Sequence, residues 1–265
     1  MFRRFFPNNR AVEPTRSTAR LPRVVFLTGA GLSADSGIAA YRGAGGVYEK
    51  IAAEELMTPK MLAESPETVH RFCDDRRAAL ADALPNAAHR VLAELGAIYG
   101  DRMTHITQNV DDLAERAGYH GSIRIHGTLT SMRSPTDPET RRDIGYARYW
   151  DGDAAMAPEG GFRFTDNTGH LFRPDVVLFG EQSKLYHRMF LVMGALHPDD
   201  LLVVIGTSGT ILPVNRWTSN ADCRKVLVNL HRSQAIDENR FDTVLRAGAA
   251  ATADEIMALV TRHLG

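Results

Sequence analysis

Short apolar runs rich in β-branched residues recur along the chain, and helix-period segments lie between them. The runs 24–28, 103–107, 123–125, 176–179, 201–206 and 225–230 are strand-sized and bounded by turn formers, which predicts six short strands. Between Pro85 and Gly100, the residues Ala88, Val91, Leu92, Leu95 and Ile98 fall at helical spacing, and Pro85 and Asn86 stand where a helix would start. Near the C-terminus, Thr252 and Glu255 have capping-box spacing, and Ile256, Leu259, Val260 and Leu264 continue as an apolar stripe, which predicts a closing helix. This alternation predicts an α/β fold, a parallel sheet with helices on both faces.

Two stretches break the rhythm. Residues 44–84 read as mostly helical, divided by Pro59 and Pro66, and 128–172 are rich in Gly, Pro, Asp and Arg. Read as insertions that pack together, they form a smaller domain beside a sheet domain made of 22–43, 85–127 and 173–265. The cleft between the two is the natural ligand site.

Composition narrows the class. With 44% apolar and 24% charged residues the chain is a folded soluble protein, and 31 basic against 32 acidic side chains supply no field for direct nucleic-acid binding. No run approaches the roughly 20 apolar residues of a membrane span. Arg3, Arg4, Arg10, Arg16 and Arg20 mark 1–21 as a loose basic tail, and no apolar region follows to make it a signal peptide. Cys73 and Cys223 stand far apart, so neither a disulfide framework nor a Cys-only metal site is expected, and a reducing, cytoplasmic setting is. Oligomeric state is left open.

Candidate chemistry starts after the first run, where Gly29-Ala30-Gly31-Leu32-Ser33-Ala34-Asp35-Ser36-Gly37 makes a small-residue turn leading to an expected helix N-terminus. Small side chains let backbone approach a pyrophosphate, and free N–H groups favour the anion. An ordinary tight strand–helix turn has the same look, and no third glycine falls in the dinucleotide register.

The longer string 29–38 with Tyr41-Arg42-Gly43 resembles the signature loop of the sirtuins, NAD-dependent protein deacylases. The blocks Thr107-Gln108-Asn109-Val110-Asp111, His126-Gly127, Arg173-Pro174-Asp175-Val176-Val177 with Phe179-Gly180-Glu181, and Gly206-Thr207-Ser208 with Val228-Asn229-Leu230 agree in order, and Pro85-Asn86 with His89 adds a weaker match. The resemblance covers 23 to about 262 and implies a Rossmann-like domain, a smaller domain and NAD in the cleft between them. It assigns Gly29, Ala30, Gly31 and Ser33 to the diphosphate, with Arg42 as a cation close to the ribose-phosphate portion and Tyr41 beside the nicotinamide site. Gln108, Asn109 and Asp111 go to the nicotinamide ribose and carboxamide; Gly206, Thr207, Ser208, Asn229 and Leu230 go to the adenosine half. Asp111 serves equally well as a helix cap ahead of Leu113.

The implied chemistry begins with attack of an acyl-lysine carbonyl oxygen on the nicotinamide ribose. His126, supported by Asn109, then acts as general base on the ribose hydroxyls, and free lysine and O-acyl-ADP-ribose are released. A histidine at a strand end is otherwise usually structural, although its near-neutral pKa suits proton abstraction. The resemblance places the acyl-lysine peptide along Val176, Val177, Phe179, Gly180 and Glu181 as an added strand.

Three departures stand out. Sirtuins carry four zinc-binding cysteines in the region matching 128–172, where this chain has none and His170 is the lone Cys or His, so no structural zinc is expected. An aromatic core of Tyr146, Tyr149, Trp150, Phe162, Phe164 and Phe172 is expected to hold that lobe instead. Second, sirtuins that prefer dicarboxylic acyl groups use a Tyr and an Arg three positions later; here the pair is Cys73 and Arg76, with Arg77 as an alternative cation and packing as the expected role of Cys73. Third, Ala39 and Tyr41 replace the family's usual Pro and Phe.

A deacylase of deacetylase or desuccinylase type leads. An ADP-ribosyltransferase or NAD glycohydrolase shares its first bond-breaking step, and a silent NAD or ADP-ribose sensor is the third reading. Retention of Asn109, Asp111 and His126 favours the first.

Overall fold

The computed structural model describes residues 20–38, 53–150, 163–219 and 221–265. In chain order its first half runs β1 (Val24–Thr28), α1 (Ala53–Leu56), α2 (Pro59–Glu64), α3 (Pro66–Asp82), α4 (Ala87–Tyr99), β2 (Met103–Thr107), α5 (Leu113–Arg116) and β3 (Ser122–Arg124). There follow β4 (Gly127–Arg133), β5 (Arg141–Asp143), β6 (Arg173–Val176), α6 (Tyr186–Gly194), β7 (Leu201–Ile205), α7 (Val214–Ser219), β8 (Arg224–Val228), β9 (Thr243–Leu245) and α8 (Ala253–Leu264).

Six strands form one sheet in the order β3-β2-β1-β7-β8-β9, and every pairing in it is parallel. Side chains alternate across it, so each strand feeds two cores. Val24, Phe26, Met103, Val203 and Val226 meet Leu92, Leu95, Ile256 and Val260 of α4 and α8 on one face. Val25, Leu27, Ile106, Leu202 and Leu227 meet Met189, Met193 and Val214 of α6 and α7 on the other. Burial on both faces is why these strands read as continuous apolar runs.

The α/β expectation stands, with local corrections. The runs 24–28 and 103–107 are strands over those residues, while the third shifts by one residue to Ser122–Arg124. The sixth strand of the sheet is β9 rather than 176–179. Strand β6 pairs antiparallel with β4 in a separate three-stranded sheet ordered β5-β4-β6. The expected helix after β1 is, over the described residues, a pair of 3-10 turns at Ala30–Leu32 and Ala34–Ser36. The capping box at Thr252 does not form. A 3-10 turn, Ala250–Thr252, precedes α8, and from it the Thr252 hydroxyl donates back to the carbonyls of Gly248 and Ala249.

Helix α3 is joined to the segment 129–150 by a buried ion pair. Arg77, fully buried, bonds Asp74 and donates to the carbonyls of Ala147 (2.9 Å) and Leu129 (3.1 Å). Asp74 also accepts the backbone N–H groups of Tyr149 and Trp150, each at 2.8 Å. Arg77 is therefore not the exposed acyl-facing cation considered from sequence. Tyr149, Phe164 and Phe172 do form an aromatic core, with ring centroids 5.2 and 4.8 Å apart in edge-to-face pairs. Trp150 instead stacks on His70, Tyr146 packs against the separate core cluster around α3 and donates to Asp112, and Phe162 lies outside the described residues. At the N-terminal side, Arg20 and Arg23 both pair with the buried Asp200. Among the described residues no helix is long and apolar enough to cross a membrane.

Candidate functional site

The chain builds the sheet outward from β1 to β3, then returns to β7 and builds the other way. The ends of β1 and β7 therefore flank a topological switch point, where parallel sheets open a crevice for ligands. Here the glycines have a local job. A Cβ on Gly31 would sit 2.5 Å from Gly206 Cα, and one on Gly29 would sit 2.9 Å from Gly206 O. Their N–H groups bond the carbonyls of Ile205 and Gly206, so both glycines clamp the two strand ends together. Across 29–33, Ala30 is the residue whose N–H has no partner among the described residues, which leaves it as the turn's donor for an anion.

Behind this turn lies a directed hydrogen-bond chain. The N-cap Asn86 donates its N–H to His89 Nδ1 (3.2 Å), so the ring proton sits on Nε2 and donates to Ser33 Oγ (3.3 Å). Ser33 then donates to Asp111 Oδ2 (2.8 Å) and accepts from Asn109 Nδ2 (3.1 Å). Burial pushes His89 down to about 4, which keeps it neutral, and pushes the Asp111 carboxyl up against the opposing bonds from Ser33 and Leu113. Asp111 does the capping job suggested by the sequence, its Oδ1 accepting the Leu113 N–H at the start of α5, while its Oδ2 holds Ser33.

Between β3 and β4, His126 is half-buried, and its Nδ1 lies 3.1 Å from Gln108 O. A carbonyl only accepts, so Nδ1 carries the proton and Nε2 has the free lone pair. Burial lowers the imidazole pKa, and the Gln108 carbonyl opposes that. The result is a neutral imidazole at neutral pH, the form a base needs. The Tyr186 hydroxyl donates to Nε2 at 3.0 Å. Sequence reasoning missed Tyr186, because an aromatic residue opening an amphipathic helix carries no polar pattern.

The ends of β7 and β8 complete the crevice. Gln108 Nε2 reaches Thr207 Oγ1 (3.1 Å), and Asn229 Nδ2 bonds Thr207 O (2.9 Å). Ser208 bonds Thr210 by its hydroxyl and Ser233 by its carbonyl, while Leu230 is exposed beside Asn229. Tyr41 and Arg42 lie outside the described residues.

A profile described as the Sir2 family matches residues 29–213. The chain belongs to the Sir2 family. It is 32% identical over 236 residues to an NAD-dependent protein deacylase of Campylobacter jejuni, covering 89% of this chain and 94% of that one. It is 37% identical over 222 residues to one of Salmonella typhimurium, covering 82% and 77%. A crystal structure of a Sir2 homolog–NAD complex superposes with a TM-score of 0.76 at 31% identity, covering 92% of this chain and 91% of that one. A mutant Sir2 homologue bound to 2'-O-acetyl ADP ribose superposes at 0.76 with 30% identity, covering 92% and 93%.

In this Sir2 chain the 176–181 segment is tied to His126. Val177 N–H bonds His126 O (2.9 Å) and Phe179 N–H bonds Met57 O (2.7 Å). Gly180 takes a left-handed φ of 91°, and Glu181 is turned inward to Arg173 (2.6 Å) and the Leu178 N–H (2.9 Å). Val176 is buried, whereas Val177 is half-exposed. Cys73 is fully buried against Met57, and burial pushes its thiol up to about 12. Arg76 is half-buried, with its guanidinium 5.1 Å from the Phe72 ring centroid.

The tetrahedral zinc that the family resemblance implies does not fit the donors of this lobe. In place of thiolates, Asp166 accepts from Ser134 and Thr136 (both 2.7 Å) and from the Thr168 and His170 N–H groups (2.9 and 3.0 Å). Bonds from Thr168 and Ser134 hold its carboxyl below the usual carboxylate range. Among the described residues no three His, Cys, Asp or Glu side chains gather as a metal site.

Proposed function

We propose that the protein is an NAD-dependent protein-lysine deacylase, and that His126 is its general base. The observation that carries the reading is the tautomer: the Gln108 carbonyl fixes the proton on Nδ1 of a neutral, half-buried imidazole, beside buried polar groups at the switch point. NAD, when bound, supplies the ribosyl carbon that accepts the acyl-lysine carbonyl oxygen and the nicotinamide leaving group.

The rest is the work of side chains. Ala30 N–H and the Gly29–Gly31 turn suit the diphosphate, an assignment supported by an Ala30 N–H that has no partner among the described residues. Ser33, held by His89, stays on the diphosphate side, while Gln108, Asn109 and Asp111 orient the nicotinamide ribose and, through Asp111, the carboxamide, the last two residues anchored by their bonds to Ser33. Gly206, Thr207, Ser208, Asn229 and Leu230 border the adenosine half, with Arg42 completing the diphosphate side and Tyr41 standing beside the nicotinamide. His126 takes the proton of a ribose hydroxyl. The acyl-lysine peptide runs along Val176, Val177, Phe179 and Gly180, with Glu181 bracing that turn from inside and Cys73 and Arg76 closing the acyl end from α3. The smaller part, 44–84 and 128–172, covers the cleft left open by the sheet part, 22–43, 85–127 and 173–265. The lobe works without structural zinc, a reading supported by its Asp166-centred donor set. Two buried free cysteines fit a reducing, cytoplasmic location.

Mass spectrometry after incubation with NAD and acetyl- and succinyl-lysine peptides tests the reaction. O-acyl-ADP-ribose with free lysine is expected. An ADP-ribosyl mass added to protein, with the acyl peptide intact, would make the protein a transferase, and free ADP-ribose alone would make it a glycohydrolase.

A further inference from the structure

Both nitrogens of the proposed base are occupied from within the protein. His126 Nδ1 is held by Gln108 O at 3.1 Å, and the Nε2 lone pair receives the hydroxyl of Tyr186 at 3.0 Å. The lone pair that must take a proton thus points at a phenol. Among the described residues Tyr186 Oη has no other bonded partner, so its oxygen lone pairs are free for a further donor.

Packing makes this arrangement durable. Tyr186 opens α6, its ring meets the imidazole edge-to-face with centroids 6.0 Å apart, and its other neighbour is Phe190 one turn on, stacked at 6.2 Å. Phe190 in turn stacks on Trp217 of α7 at 4.8 Å. Tyr186 is half-buried, and burial raises its pKa, which keeps the hydroxyl protonated. The charged groups on surrounding elements are engaged elsewhere: Asp111 with Ser33, Arg124 with Glu115, Asp175 with Arg141, and His187 with the Lys184 carbonyl.

We propose that the Tyr186 hydroxyl is a proton relay between the substrate hydroxyl and His126 Nε2. This rests on the deacylase reading and adds a second catalytic group to it. Tyr186 Oη takes the substrate hydroxyl's proton as its own proton passes to Nε2. One O–H bond forms on the phenol as another breaks, the imidazole ends as imidazolium, and the electron pair of the broken substrate O–H bond stays on the substrate oxygen. Direct transfer to Nε2 would first require the phenol to leave.

The test is Tyr186→Phe, which keeps the ring and its stacking on Phe190. Two readouts are needed. First, 15N NMR of the ligand-free protein reports the bond without any turnover: the His126 Nε2 resonance is expected to move to its unbonded position in the variant while Nδ1 stays protonated. An unmoved resonance would overturn the proposal. Second, nicotinamide release is expected to persist while O-acyl-ADP-ribose formation falls about 10²-fold, the usual worth of one acid–base group. The solvent isotope effect is expected to lose one of two transferred protons. Product formation equal to or faster than wild type would show that the phenol merely occupies the lone pair, and would overturn the relay. If the wild type releases no nicotinamide from NAD, the deacylase reading itself fails, an outcome distinct from either.

Discussion

His89 Nε2 lies 3.3 Å from Ser33 Oγ, and that contact passes the order of an α-helix cap into the ligand crevice. The helix start fixes Asn86, Asn86 fixes the His89 tautomer, and His89 leaves the Ser33 hydroxyl free to donate to Asp111. An Asn-x-x-His cap thus sets the direction of every bond that follows.

Replacing this imidazole by a leucine removes the partner of the Asn86 N–H and leaves the Ser33 oxygen with Asn109 as its donor. His89→Leu is expected to cost about 1–3 kcal/mol, the penalty for unsatisfied buried polar groups. Urea unfolding measures it; unchanged stability would show that the chain of bonds carries no load.

Three histidines are buried almost completely: His70, His89 and His105. Burial pushes them down to about 3, 4 and 3. Between those values and about 6.5 the folded chain leaves them neutral while the unfolded chain protonates them. The unfolded state then binds more protons, so stability falls as pH drops from about 6.5 towards 4. Each contributes up to about 1.4 kcal/mol per pH unit in that window. Urea midpoints at pH 7.0, 5.5 and 4.5 are expected to fall in that order, and a flat profile would contradict the buried neutral state.

The Asp74–Arg77 pair ties α3 to the loop carrying Tyr149 and Trp150. Arg77→Leu strands the Asp74 charge without its partner, so a loss of about 3–5 kcal/mol is expected. Unfolding followed by tryptophan fluorescence checks it. Arg76→Leu, one residue earlier on the half-buried side, is expected to cost far less.

The lobe proposed to work without zinc has the Asp166 hydrogen bonds where the family has thiolate ligands. Dialysis against a strong chelator is expected to leave the melting temperature unchanged, and elemental analysis is expected to find no stoichiometric zinc. One zinc per chain, lost together with stability, would overturn the hydrogen-bonded lobe.

Much of this was legible in the sequence where burial and pattern agree. The doubly buried strands β1 and β2 read as clean apolar runs, and α4 announced itself by spacing and its Pro85-Asn86 start. Strand β9 escaped because it has three half-buried residues between Asp242 and Arg246, and β5 because Arg141–Asp143 are all exposed. The 176–179 run misled because apolar character alone does not make a strand: β6 is Arg173–Val176, in the smaller sheet, and 177–179 lie beyond its end. At the site, the Asn109, Asp111 and His126 positions were visible as motifs, whereas the Tyr186–His126 and His89–Ser33 bonds join residues 60 and 56 positions apart and exist only once the chain folds.

His126 is proposed as the base that completes acyl transfer. Deacylation of an acyl-lysine peptide by wild type and His126→Ala at saturating NAD measures it most directly. A fall of about 10²–10⁴-fold is expected, with NAD affinity within a few-fold of wild type. Equal deacylation by both proteins would contradict the account.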